Sequence, residues 1–137
     1  MMRNTQSPRT DPVLWVALLA LCSTYLQGSF CKLRDFNAAL GEMTHFGLSP
    51  PALFAVGVIA LELVCCAAIL SGKLRWLGAF ALALFTVSAN FLANAWWHEA
   101  RGPAQDMMMN GFFEHLGLAG AFVYVGWLDV RRRFHGN

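Results

Sequence analysis

Residues 52–70 read ALFAVGVIALELVCCAAIL. A bilayer hydrocarbon core about 30 Å thick takes about 20 residues of helix, and this run is apolar along its length except at Glu62. No other acidic or basic residue lies between Pro51 and Ser71. A carboxylate at mid-bilayer depth is costly in lipid and therefore faces a bundle interior or a cavity. The stretch predicts a membrane-spanning helix bundle with a polar interior.

The composition agrees. The chain has 137 residues, 57% hydrophobic and 13% charged, against roughly 25% charged in an ordinary soluble domain. Its mean hydropathy is +0.47. This length fits one integral membrane domain over residues 1–137, with no separate soluble catalytic module. The net charge is +2, and the basic residues form no stripe interleaved with exposed aromatics, which argues against a nucleic-acid partner. Arg3 and Arg9 precede the apolar stretch 13–21, as in a signal peptide. No small-x-small cleavage site follows, so a retained first span is expected.

Four spans are predicted, at about 12–30, 51–70, 76–96 and 111–128. Pro50-Pro51 suits the start of the second, because proline is tolerated in a first helical turn. Arg3 and Arg9, then Lys73 and Arg75, then Arg131, Arg132 and Arg133 fall on one side of such a bundle. The positive-inside rule makes that side cytoplasmic. The expectation is a multi-pass protein of a bacterial inner membrane with both termini in the cytoplasm. Trp15, Trp76, Trp96, Trp97 and Trp127 all fall near span ends, as an interfacial aromatic belt requires. In the first outer connection, Leu33, Phe36, Leu40 and Met43 recur every three or four residues. That spacing predicts a short amphipathic helix lying on the membrane surface or folded over the bundle mouth. Gly102-Pro103 followed by Met107-Met108-Met109 reads as an apolar turn at the other outer connection.

Close packing and hydrogen bonding associate helices in lipid, so small and polar residues mark inner faces. The predicted stripes are Ala20, Ser23, Thr24, Gln27 and Cys31; Ala55, Val58, Glu62 and Cys66; Ala79, Ala83, Val87, Asn90 and Asn94; and His115, Ala119, Phe122 and Gly126. Gln27, Lys32, Asn90, Asn94, Glu114 and His115 then share the outer third of the membrane. A polar, outward-opening pocket with Glu62 near its floor follows. Plain structural roles compete for several of these. Asn90 and Gln27 could simply join helices by hydrogen bonds, and Glu114 could complement a helix dipole.

Cofactor chemistry finds little footing. Cys22, Cys31, Cys65 and Cys66 make no C-x-x-C pair, and buried thiols usually serve as small hydrophobes. His45, His98, His115 and the three consecutive methionines are soft ligands suited to copper. However, no histidine pair has i, i+4 spacing and consecutive methionines diverge around a helix. Neither a metal nor a haem is expected.

The chain resembles the DoxX family of small membrane proteins. The likeness begins in GSFCKLRDF, where Gly28 and Lys32 match a glycine-x-x-x-lysine motif. It continues through HFGLSPP and ALELVCCAAILSGKLRWLGAFALA, where Glu62, Gly72 and Arg75 match. It resumes at FLANAWW and FFEHLGLAGAF and ends at Asp129. Ala93-Asn94 and Glu114-His115 depart from the family pattern, within the expected pocket. The resemblance implies an all-α, four-helix membrane fold and an association with membrane redox complexes. Three functions stay open: an accessory subunit that binds quinone, lipid or another membrane subunit; an oxidoreductase with Glu62 as a proton-handling catalytic group; and a carrier of lipid or another small molecule.

Overall fold

The computed structural model describes residues 11–135, so Arg3 and Arg9 lie outside the described residues. The chain is all-helical there. Helix α1 spans Pro12–Arg34, α2 Phe36–His45, α3 Pro51–Ser71, α4 Arg75–Ala93 and α5 Pro103–His135, with a 3-10 turn at Trp96–His98. By length and composition, Pro12–Arg34, Pro51–Ser71 and Arg75–His98 are apolar enough to cross a bilayer. α5 is the longest helix, 33 residues, but more polar.

Local chemistry sets the helix ends. Asp11 caps α1 by accepting a 3.0 Å hydrogen bond from the Val13 amide, and Pro12 occupies the first turn. α1 continues to Arg34, four residues past the expected end, which carries Lys32 along as a helical residue. Asp35 then serves two helices. Its amide donates to Cys31 at the end of α1, and its carboxylate accepts from Ala38 at the start of α2. Gly72 ends α3 in the left-handed region, φ 76°, where a glycine is favoured. The expected apolar turn at residues 103–109 is instead the first part of α5. Pro103 begins the helix and no breaker follows it before Gly111.

Around the bundle, α1 packs on α3, α3 on α4 and α4 on α5. The ring closes through side chains, with Tyr25 of α1 edge-on to Phe122 of α5 at a centroid distance of 5.5 Å. The core is formed by Leu18, Cys22, Tyr25, Cys65, Cys66, Ile69, Ala79, Leu82, Ala83 and Phe122. Gly78 lets α4 approach α3 closely: a Cβ there would stand 2.7 Å from the Cys65 carbonyl oxygen. The amphipathic α2 folds back on α3. Ala39 and Met43 are buried against Ala55, with Leu40, Leu48 and Val58 at the margin. Leu33 stays 59% exposed and belongs to α1 rather than to this contact.

The inner faces of α3, α4 and α5 follow the predicted stripes, with Ala55, Glu62, Cys66, Ala79, Ala83, Asn90, Ala119, Phe122 and Gly126 buried. The face predicted for α1 is corrected. Leu18, Cys22, Tyr25 and Ser29 are buried, whereas Ala20, Ser23, Thr24, Gln27 and Cys31 are exposed. The reason is local satisfaction. The Ser23 hydroxyl donates to Ala20 O at 2.7 Å, and Gln27 Nε2 donates to Cys31 Sγ at 3.1 Å. A polar side chain bonded within its own helix exerts no pull toward the interior.

One end of the bundle gathers Lys73, Arg75, Arg131, Arg132 and Arg133. There Asp129 Oδ2 accepts from the Trp76 amide at 3.1 Å, supplying from α5 the cap that α4 lacks. Arg133 pairs with the same oxygen at 2.9 Å and reaches Gly72 O at 2.5 Å. Arg75 Nε donates to Ile69 O at 3.0 Å. This arginine-rich end is tied shut.

Candidate functional site

The opposite end holds a cavity of about 700 Å³. It is walled by the C-terminal halves of α1 and α4 and the N-terminal half of α3, with His115 of α5 at one side. Glu42, Met43 and Phe46 approach it from the α2 side. Because α3 runs opposite to α1 and α4, the lining residues nearest the arginine-rich end are Thr24 and Tyr25, Glu62, and Phe85 and Thr86. Of these, Tyr25, Glu62 and Thr86 are buried and form the floor. The walls are mostly apolar, with Leu53, Phe54, Val58, Leu61 and Leu92 among them. Leu53 and Leu92 are 66% and 50% exposed, so the cavity opens at the bundle surface.

Polar groups gather at a few places. Glu62 is 5% exposed and its Oε2 accepts a 2.6 Å hydrogen bond from Ser29 Oγ. Its other oxygen has no protein donor among the described residues and is not enclosed by protein. Lys32 curls back along α1 over Gly28. A Cβ at Gly28 would stand 3.6 Å from Lys32 Nζ and 4.0 Å from Glu62 Oε2. The ammonium and the carboxylate thus both stand beside the bare backbone of Gly28. They form no ion pair, since among the described residues only Arg133 and Asp129 come within ion-pair distance.

Asn90 and Asn94 form a second cluster. Asn90 Nδ2 donates to Phe112 O at 2.9 Å and Asn90 Oδ1 accepts from Asn94 Nδ2 at 2.9 Å. This arrangement ties α4 to α5, a structural duty that both residues fulfil while lining the cavity. His115 Nδ1 lies 2.7 Å from Gly111 O, leaving its other ring nitrogen without a bonded partner among the described residues. At the floor, the Tyr25 hydroxyl meets Thr86 Oγ1, and Thr86 in turn donates to Leu82 O at 2.6 Å.

The cavity brings together Lys32, Glu62, Asn90, Asn94 and His115 and leaves out Gln27 and Glu114. Gln27 is exposed on α1 and occupied by Cys31. Glu114 is exposed on the outer side of α5. The sequence predicts a polar pocket; the one present has mostly apolar walls with a few polar groups. Ser29, Tyr25, Thr86 and Gly28 are site residues that polarity alone did not reveal. A signal for Ser29 existed: a buried Glu62 requires a donor, and Ser29 lies one turn beyond Tyr25 on the buried face of α1.

His45 and His98 are exposed and belong to different surface segments. Among the described residues no three His, Cys, Asp or Glu side chains converge as a metal site would require. Cys22, Cys65 and Cys66 are buried free thiols, and Cys31 is an exposed one.

No curated protein and no solved structure matches the chain. The DoxX family profile matches residues 14–95, which include α1 from its third residue, α2 to α4 and every cavity residue except His115. The likeness seen in FFEHLGLAGAF and at Asp129 lies beyond that span. A match over more than half of the length, onto helices able to cross a bilayer, settles the kinship: this chain is a membrane protein of the DoxX family.

Proposed function

We propose that the protein binds an amphiphile, a quinone or a lipid, in the cavity and acts as an accessory subunit of a membrane redox complex. The observation that carries this reading is the cavity itself. Its volume of about 700 Å³ falls in the range of small-molecule sites, roughly 300–1,000 Å³. Apolar walls with a few polar groups at one place suit a ligand with an apolar body and a polar head. The rest of the exterior, with Val16, Leu84, Val64 and Tyr124 more than 60% exposed, suits lipid or neighbouring subunits.

In the same reading α5 is a fourth span of a bacterial inner-membrane protein. Phe113, Leu116, Val123, Tyr124 and Trp127 are exposed along its outer side, as a lipid-facing surface would be. The five basic residues at the arginine-rich end would then face the cytoplasm, with the carboxyl terminus. The cavity would open on the opposite side. The amphipathic α2 would lie at that interface.

Purification from native membranes in mild detergent, followed by mass spectrometry of extracted small molecules and co-purified proteins, tests this function. A bound quinone or lipid together with other membrane subunits is expected. A single-component protein without any amphiphile contradicts it.

The Ser29–Glu62 contact at the cavity floor favours a second reading, in which Glu62 handles a proton in a redox reaction. Glu62→Gln should then abolish the associated activity at unchanged protein abundance, and full activity would remove Glu62 from that role.

A further inference from the structure

We infer that the cavity selects an amphiphile whose head is uncharged and carries both an O–H donor and an oxygen acceptor, the head lying between Lys32 and Glu62. The inference rests on the amphiphile-binding reading above and adds the chemistry of the head group.

The geometry gives the reasons. Opposite charges attract strongly where water is scarce, and a buried pair is stabilised mainly by direct contact and full hydrogen bonding. Lys32 of α1 and Glu62 of α3 both stand beside Gly28, yet they are not within ion-pair distance of each other. Each keeps unused hydrogen-bonding capacity toward the cavity. The Lys32 ammonium has no acceptor among the described residues, and the Glu62 oxygen not used by Ser29 has no donor. A head group with an acceptor for the ammonium and a hydroxyl for the carboxylate satisfies both at once. Gly28 contributes by what it lacks, since a longer side chain there would occupy this gap.

Charge decides against acidic heads. Acidic side chains outnumber lysine and arginine on the cavity lining, Glu42 and Glu62 against Lys32. A fatty-acid carboxylate or a lipid phosphate placed beside Lys32 would also face Glu62 across the same gap. A hydroxylated neutral head carries no such cost. Two sources share that chemistry, a hydroquinone and a monoacylglycerol.

The test uses the full chain in detergent and four probes: decylubiquinol, decylubiquinone, monoolein and oleate, with binding read by native mass spectrometry. Tighter binding of decylubiquinol than of decylubiquinone, or of monoolein than of oleate, is expected, and which hydroxylated probe wins names the source. Losing one hydrogen bond to a charged group should weaken the preferred probe about tenfold in Glu62→Gln, while oleate binding improves because a negative charge has gone. Lys32→Gln should weaken the hydroxylated probes as well. That opposite movement of two ligands in one variant cannot come from misfolding. Oleate or decylubiquinone binding to the wild type as tightly as the better hydroxylated probe, or an unchanged preference in Glu62→Gln, overturns the inference while leaving amphiphile binding in place. Failure of all four probes overturns both.

Discussion

Gly78 and Gly57 belong to the same packed pair of helices, α4 and α3, but to opposite ends of the bundle. A Cβ at Gly78 would collide with the Cys65 carbonyl at 2.7 Å, whereas a Cβ at Gly57 would meet nothing within 4 Å. Near the arginine-rich end, small residues let backbones touch, Asp129 and Arg133 tie the α3–α4 turn to α5, and Arg75 ties the start of α4 to α3. At the other end the helices stand apart around a cavity, and α2 folds across α3 beside it. Close packing in a membrane bundle is therefore local. One half acts as a clamp that holds the other half open without filling it.

The clamp should be the sensitive half. Gly78→Val forces α3 and α4 apart and should destabilise the protein by about 3 kcal/mol, seen as a clear fall in the thermal midpoint in detergent. A wild-type midpoint would mean that the helices do not approach as closely as described. Asp129→Ala removes the acceptor of the Trp76 amide and the partner of Arg133. Its cost should be about 2 kcal/mol, partly recovered by Asp129→Asn, which still accepts from the amide. Chemical denaturation of the three proteins compares them directly.

The open half should behave in the reverse way. Gly57→Ala meets no neighbour and replaces a residue that weakens helix interiors, so it should stabilise by roughly 0.5–1 kcal/mol, while narrowing the cavity. A loss of stability there would show the helices packed where a gap is described. Gln27→Ala should change stability by less than about 0.5 kcal/mol and leave amphiphile binding intact, because its side chain lies outside the cavity. A binding defect would return Gln27 to the site.

Much of this division was legible in the sequence, for stated reasons. α3 and α4 have faces on which small residues and the buried polar groups Glu62, Thr86 and Asn90 coincide, so packing and polarity point the same way. Glu62 and Asn90 were readable because a polar group in an apolar run must be sheltered. α1 misled because Ser23 and Gln27 are bonded along the helix itself, while its interior face uses Leu18, Cys22, Tyr25 and Ser29, which look ordinary in sequence. Glu114 misled because charge near the bundle end is compatible with an outward direction. A pocket around Glu62 is readable in the sequence, but the size of the cavity and its mostly apolar walls are not. The cavity arises from the distance between helices, which depends on where residues such as Gly78 allow contact and where Leu53 or Leu92 do not enforce it.

The most direct test is the distance between Lys32 Nζ and the Glu62 carboxyl carbon, measured by solid-state NMR on the labelled protein in lipid bilayers. A separation too long for a direct ion pair is predicted, with both groups contacting an added hydroxylated amphiphile. A direct Lys32–Glu62 ion pair, unaffected by any amphiphile, would mean that the gap has closed and would contradict the account.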